Sequence, residues 1–209
     1  METSLNRSVD PPAGTGPRAV VLVEGHSDRV ALEVLARRRG RDLDGEGIHI
    51  LAMGGATNVG HHLDRYGPRG LGVRVAGLYD SAEERFFAQG LARAGLGANL
   101  SRAELQARGF FVCVADLEDE LIRAIGAEQV EQLVEAEGEI ASFRRLQRQP
   151  ALRERTLHDQ LRRLMSGRSG GKLRYAGVMA RAVDLNRVPW PLDAVLEAAG
   201  RPPLNPRLA

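Results

Sequence analysis

Acidic residues end three of the four β-strands that the sequence predicts. Glu24, Asp80 and Asp116 each follow directly on an apolar, β-branched run. The carboxyl ends of parallel strands lie along one edge of an open sheet, where ligands bind, so we expect these three carboxylates to lie close together. Two further acids, Asp28 and Glu118, fall in the first turn of the helices predicted after the first and last of these strands.

Such a group of carboxylates predicts a site for divalent cations. Like charges repel, so several acids gathered at one edge need positive charge between them. Oxygen ligands without His or Cys favour hard ions, which indicates Mg²⁺ or Mn²⁺ rather than Zn²⁺. Two such ions suit in-line attack on a phosphodiester, because one generates the hydroxide and both offset the developing negative charge.

A preference for acids in the first turn of any helix offers a simpler explanation for part of this pattern. The helix dipole favours negative charge at that end, which would account for Asp28 or Glu118 taken singly. It does not account for acids at the strand ends themselves, so the metal-site hypothesis explains more of the pattern.

The order of apolar runs and helical patterns predicts an α/β fold, with helices on both faces of a mostly parallel four-stranded sheet. The predicted strands are residues 18–24, 47–53, 73–79 and 110–115. Ser27 is the predicted N-cap of the first helix. After Gly126 the pattern predicts helices only. We therefore expect a flexible leader (1–17), a Rossmann-like α/β domain (18–126) and a helical, basic C-terminal region packed on that same domain (127–209).

The charge distribution indicates a polyanionic partner. Residues 141–181 carry ten Arg and one Lys against two acids. A solvated helical face would give the same composition, and charge alone does not separate these two interpretations. Lys172 is the only lysine among the 29 basic residues, and it lies in the glycine-rich loop predicted between two helices.

Other features exclude several protein classes. The single cysteine, Cys113, falls in an apolar strand, which excludes a disulfide framework or a cysteine-rich metal site. The first residues lack the apolar segment of a signal peptide, and no segment is long and apolar enough for a membrane span. We expect a cytoplasmic protein without a membrane partner.

Several motifs together resemble the TOPRIM domain, the metal-binding module of topoisomerases, primases and several nucleases. These motifs are "VVLVEGHSD", the pair Gly54 and Gly55, and "GLYD". The stretches "FFVCVADLEDELIRAIG" and "GGKLRYAGVMARAV" resemble more specifically the TOPRIM nuclease half of the OLD (overcoming lysogenization defect) family. The resemblance covers roughly residues 18–200.

This resemblance implies roles for particular residues. Metal ligands would be supplied by the acids Glu24, Asp28, Asp80, Asp116 and Glu118. Glu24 would also be catalytic. Lys172 would lie near the scissile phosphate, where its ammonium stabilises charge on the phosphorane or on the leaving oxygen.

The sequence departs from the family pattern in two places. Position 82 is Ala82 where the Asp-x-Asp motif has its second aspartate, and Glu83 or Glu84 would have to reach the same ion. OLD proteins usually join this domain to an N-terminal ABC-type ATPase, whereas "SGGKL" does not satisfy the P-loop pattern. We therefore expect a stand-alone nuclease domain, with any ATP dependence supplied by a partner chain.

The leading hypothesis is a metal-dependent endonuclease acting on nucleic acid, with DNA as the expected substrate. Two alternatives stay open. One is a catalytically weakened TOPRIM module that binds nucleic acid or a partner ATPase. The other is an RNA-processing or nucleotidyl-transfer TOPRIM protein.

Overall fold

Four parallel strands form the central sheet of the protein. A computed structural model describes residues 16–167 and 170–202. Its strands are β1 (Ala19–Val23), β2 (Ile48–Ala52), β3 (Arg74–Asp80) and β4 (Phe110–Cys113). They lie in the order β2-β1-β3-β4, and every pairing is parallel. The α/β class and the parallel sheet expected from the sequence are confirmed, and each predicted strand lies within two residues of the observed one.

Helices connect the strands and make up the C-terminal half of the described chain. The first five are α1 (His26–Arg38), α2 (Val59–Tyr66), α3 (Glu84–Arg93), α4 (Arg102–Ala107) and α5 (Leu117–Ile125). The next five are α6 (Ala127–Ala136), α7 (Ile140–Gln147), α8 (Leu157–Ser166), α9 (Gly171–Ala182) and α10 (Trp190–Ala199). Within the described ranges, none of these helices is long and apolar enough to cross a membrane. Most of the leader predicted at 1–17 lies outside the described residues.

Alternating side chains of the strands pack into two separate cores, one on each face of the sheet. In β1, Val21 faces a core shared with α1 and α5 to α10, while Leu22 faces a core shared with α2, α3 and α4. This follows from the two-residue period of a strand, which sends successive side chains to opposite faces. Both faces are therefore covered, and polar chemistry is left to the ends of the strands.

The start of α1 differs from the prediction. Gly25, not Ser27, is the N-cap, and the helix begins at His26. The Asp28 carboxylate at the third helical position accepts a hydrogen bond from the Gly25 amide, with Asp28 Oδ2 2.9 Å from the nitrogen. A carboxylate at the third helical position can reach back and accept from the N-cap amide, as Asp28 does. Asp28 thus has a structural role in addition to any chemical one.

Arginine side chains join α1 and the sheet to the last two helices. Arg38 donates to the carbonyl oxygens of Ala180 (2.8 Å) and Val183 (2.6 Å) at the end of α9. Arg74, at the start of β3, is buried with 4% exposure, and its Nε donates to the carbonyl oxygen of Ala198 in α10 at 3.1 Å. These bonds satisfy terminal helix carbonyls that have no partner within the helix.

Replacing Arg74 by alanine is expected to lower the free energy of unfolding by about 2–4 kcal/mol. The change leaves a cavity at the sheet and a buried carbonyl without its donor. Urea denaturation followed by circular dichroism measures the loss. Arg37→Ala is the matched control, because Arg37 is exposed on α1 and its replacement should change stability by less than about 0.5 kcal/mol. Equal losses in the two variants would contradict the structural role of Arg74.

Candidate functional site

Glu24 follows β1 directly and is fixed through its backbone. Its carbonyl oxygen accepts hydrogen bonds from the amides of Gly54 (3.0 Å) and Gly55 (3.3 Å), in the turn after β2. These glycines have φ angles of +70° and +124°, a backbone region that residues with a Cβ rarely adopt. The glycine pair that carried part of the family resemblance therefore has a physical role, because it fixes the end of β1 and with it Glu24.

Asp28 lies one helical turn beyond Glu24 and is partly buried. Burial raises the pKa of its carboxyl to about 6, and the negative charges of Glu118 and Glu24 add to this rise, while the hydrogen bond from Gly25 opposes it. Asp28 is thus an electrostatic neighbour both of Glu24 and of Glu118, which comes about 90 residues later in the chain.

Asp80 is the last residue of β3, where it pairs in register with Cys113 of β4. Burial raises the pKa of its carboxyl to about 8, and the charges of Asp28, Glu24 and Asp116 contribute further. These couplings show that the carboxyl edge of the sheet does bring the strand-end acids into one electrostatic group, as the topology predicted.

The two glutamates after Asp80 have different environments. The Glu83 carboxyl lies within hydrogen-bond reach of the Glu24 carboxyl, and its pKa is raised to about 7 by burial first and then by that contact. Glu84 points elsewhere, since its Oε2 lies 2.7 Å from Nε of Arg102 on α4. Glu83 and Glu84 were the two candidates to take the role of the aspartate that is missing at position 82. Glu83 lies beside the other acids, and Glu84 does not.

Asp116 and Glu118 come from the start of α5. Asp116 is the N-cap, its Oδ1 accepts the Asp119 amide at 2.8 Å, and its Oδ2 pairs with Arg162 of α8. Glu118 is only 3% exposed. Its Oε1 is buried and has no hydrogen-bond partner among the described residues. Burial raises the pKa of the Glu118 carboxyl, although the nearby Lys172 opposes the rise.

Lys172 faces Glu118 across this group. Its Nζ lies 3.4 Å from Glu118 Oε2, while about half of the side chain (51%) stays exposed. Burial disfavours the ammonium, but the charges of Glu118 and Asp116 outweigh that cost and raise the Lys172 pKa. The sequence placed this residue in a loop, whereas the structure places it in the first turn of α9. The lysine therefore remains protonated and open to solvent on one side.

The donor set of this edge suits a hard divalent cation. The side-chain atoms that could bind a metal here are carboxylate oxygens. Two of them, Glu118 Oε1 and Glu83 Oε2, are buried and accept no hydrogen bond from the described part of the chain. Several of the carboxyls have raised pKa values, as expected for acids that repel one another. Within residues 16–167 and 170–202, no three His, Cys, Asp or Glu side chains already surround a common point at ligand distance. The acids are neighbours that an ion would draw together.

Two residues of this site were not identified from the sequence. Arg162 pairs with Asp116, and His158 Nε2 lies 2.8 Å from Asp119 Oδ1. They lie four residues apart on α8 and therefore on one face of that helix, which packs on the start of α5. The spacing was visible in the sequence, but the partner helix was not. Asp116, predicted as a metal ligand, has both carboxylate oxygens engaged here.

The basic stretch 141–181 is partly neutralised within the protein. Arg144 pairs with Glu131, and Arg174 pairs with Glu137 and Glu139. Other arginines of this stretch are exposed and form no ion pair with any described residue: Arg145, Arg148, Arg155, Arg163 and Arg181. About half of the predicted positive surface is thus available to an external polyanion.

The segment that contains the first motifs matches a known family. Residues 17–81 match the model of the overcoming lysogenization defect protein-like TOPRIM domain. This segment is similar to the OLD-like TOPRIM domain. It contains three of the predicted site acids, Glu24, Asp28 and Asp80, and the glycine pair that fixes Glu24.

Solved structures extend the likeness beyond the matched TOPRIM segment. The C-terminal region of the Xanthomonas campestris pv. campestris OLD protein is 26% identical, has a TM-score of 0.66, and the match covers 88% of this chain and 95% of that one. The C-terminal region of the Burkholderia pseudomallei OLD protein is 22% identical with a TM-score of 0.63, over 88% and 97% of the two chains, and shows the shared fold alone. No curated protein matches the chain. The resemblance to the OLD TOPRIM region inferred from the sequence is confirmed.

Proposed function

We propose that this OLD-like TOPRIM protein is a divalent-metal-dependent endonuclease that hydrolyses phosphodiester bonds of DNA. TOPRIM domains generally bind divalent metals and act on nucleic acids, and the OLD-like match supports the same properties for this chain. The observation that carries the proposal is Glu118, a buried carboxylate with an unpartnered oxygen beside a solvent-accessible lysine. Burying such a group is costly unless a cation completes it.

The acids Glu24, Asp28, Asp80 and Glu118 would hold Mg²⁺ or Mn²⁺ at the carboxyl edge of the sheet. Asp116 would become a further metal ligand if its carboxylate were released from the ion pair with Arg162. When bound, the metal would lower the pKa of a coordinated water and offset charge on the phosphate.

The side chains would divide the remaining work of hydrolysis. Glu24, at the open end of β1, would accept a proton from the attacking water at its carboxylate. The Lys172 ammonium would stabilise charge on the phosphate oxygens and supply a proton to the leaving oxygen. The phosphorus–oxygen bond to that leaving group breaks as the water oxygen bonds to phosphorus, which gives one phosphomonoester and one hydroxyl end.

Exposed arginines on α7, on α8 and between these helices favour a nucleic-acid substrate. Arg145, Arg148, Arg155 and Arg163 lie on or between α7 and α8, and Arg162 of α8 itself contacts the acidic group. Such contacts would follow the phosphate backbone without selecting a sequence. We propose DNA as the substrate. Cleavage assays on matched DNA and RNA substrates would distinguish it from RNA. We also propose that the protein acts in the cytoplasm.

Purified protein is expected to nick supercoiled plasmid in Mn²⁺ or Mg²⁺ and to be inactive in EDTA. Glu24→Gln should lower the nicking rate by about 10²-fold or more, because the change removes a charged group from the reacting centre. Agarose-gel conversion of supercoiled to open-circular plasmid measures the rate, and Glu33→Gln, on the exposed side of α1, is the control. Salt-sensitive DNA binding without strand breaks at any metal concentration would instead identify a non-catalytic binding module.

A further inference from the structure

The turn after β3 carries a feature that the proposed metal site does not by itself explain. Asp80 ends the strand, residues Ser81–Glu83 form a single 3₁₀ turn, and α3 begins at Glu84. In 3₁₀ geometry, side chains three residues apart lie above one another, whereas those two apart do not. Asp80 is the extended N-cap of this turn, so residue 83 comes one full turn after it and residue 82 about two-thirds of a turn after it.

The exposures of the two side chains agree with this geometry. Ala82 is exposed to solvent, while Glu83 is partly buried, and its Oε2 is fully buried without a hydrogen-bond donor among the described residues. The Glu83 carboxyl lies within hydrogen-bond reach of Glu24 and is close enough to Asp80 for their charges to interact. Glu83 is thus placed between the ends of β1 and β3.

The 3₁₀ turn is fixed against the far side of the site. Ser81 Oγ donates a hydrogen bond to the carbonyl oxygen of Val114 at 2.5 Å, and Val114 lies in the segment that leads from β4 to Asp116. The Val114 amide in turn donates to Glu120 Oε1 at 3.0 Å. The turn, the end of β4 and the start of α5 are therefore joined, which holds Glu83 in a fixed direction.

We propose that Glu83 is a metal ligand, so that Asp80 and Glu83 form an Asp-x-x-Glu pair on one side of a 3₁₀ turn. This pair takes the place of the Asp-x-Asp motif, and position 82 has no part in it. A glutamate three residues on has the longer side chain needed to reach back over one turn to the ion held by Asp80 and Glu24. The inference rests on the proposed metal-dependent function, since it assigns a further ligand to the same site.

Mn²⁺ binding to the full chain without nucleic acid tests this inference. Isothermal titration calorimetry, with electron paramagnetic resonance of free Mn²⁺ as a second readout, is applied to wild type, Glu83→Gln and Glu84→Gln. Glu83→Gln keeps the shape of the side chain and is expected to weaken Mn²⁺ binding at least about tenfold. Glu84→Gln changes the adjacent residue, which pairs with Arg102, and should stay within about twofold of wild type.

A third variant tests the geometry of the turn. Adding Ala82→Asp to Glu83→Gln restores the Asp-x-Asp motif in sequence, but an exposed residue 82 should not restore Mn²⁺ affinity. Circular dichroism and thermal melting of each metal-free variant establish that it is folded.

The possible results separate this inference from the proposed nuclease. Equal Mn²⁺ affinity of Glu83→Gln and wild type would overturn the role of Glu83 even if the protein cleaves DNA. Recovery of affinity by the added Ala82→Asp would overturn the statement that position 82 is directed away from the ion. Weakened binding in Glu83→Gln alone supports that role even if no cleavage is detected. A wild-type protein that binds no Mn²⁺ would overturn both proposals.

Discussion

Replacing Lys172 by alanine is expected to lower the rate of DNA cleavage by about 10²–10³-fold while making Mn²⁺ binding tighter. The rate falls because a fixed positive charge beside the reacting phosphate is lost. Mn²⁺ binding strengthens because Glu118 loses the ammonium 3.4 Å away that competes with the ion for its carboxylate. Because the Lys172 side chain is half exposed to solvent, its pair with the buried Glu118 is worth on the order of 0.2–1 kcal/mol, so the gain should be about 1.4- to fivefold.

These opposite effects distinguish a lysine acting on the substrate from one that only organises the acids. Plasmid nicking at saturating Mn²⁺ measures the first effect, and calorimetry without DNA measures the second. Arg174→Ala is the matched control, because Arg174 lies two residues further along α9 and pairs with Glu137 and Glu139. If Lys172→Ala weakened metal binding and cleavage in parallel, the lysine would be a structural partner of Glu118 and not a group acting on phosphate.

Replacing Asp80 by asparagine is expected to stabilise the metal-free protein at alkaline pH. The Asp80 carboxyl has a pKa of about 8 in the folded protein, against about 3.8 as its ordinary value, because of burial and neighbouring acids. The folded state therefore binds this proton more tightly than the unfolded state. The resulting contribution to stability is present below about pH 4 and is lost as the pH rises through 8.

Asparagine carries no such charge, so Asp80→Asn should be more stable than wild type at pH 9 by an amount on the order of 2 kcal/mol. One pKa unit corresponds to about 1.4 kcal/mol of stability. The shift of the Asp80 pKa would give a larger difference at face value, but Asp80 is partly exposed, and solvent screening and relaxation reduce it. The difference should shrink towards pH 4. Thermal melting in EDTA across this range measures it, and Asp64→Asn, an exposed acid on α2, is the control. Parallel pH profiles of wild type and Asp80→Asn would contradict the expected repulsion.

The same repulsion is expected to make the stability of the protein depend on bound metal. At pH 8, Mn²⁺ should raise the melting temperature of wild type more than that of Asp80→Asn, because a cation relieves repulsion that the asparagine variant has already lost in part. The acids thus lower the stability of the metal-free protein, and this cost is consistent with selection for binding and not for folding.

Much of the fold could be predicted from local patterns. The strand ends lie within two residues of their predicted positions because β-branched apolar runs bounded by Gly and Asp are strong local signals. The capping box of Ser101 and Glu104 before α4 is another local feature, because both partners lie within four residues. The N-cap of α1 was placed wrongly, since Ser27 and Gly25 compete for that position. At the observed N-cap, the Gly25 amide donates to the Asp28 carboxylate, a contact that composition does not show.

The sequence by itself determined that Glu24, Asp80 and Asp116 would lie at one edge, because parallel strands all end on the same side of a sheet. The tertiary structure decided which other groups reach that edge. The winding of one 3₁₀ turn directs Glu83 inward and Glu84 towards Arg102. The packing of α8 and α9 on α5 sets Arg162 against Asp116 and Lys172 against Glu118. Such choices depend on side-chain direction and on contacts between segments distant in the chain, and neither of these is encoded in local spacing.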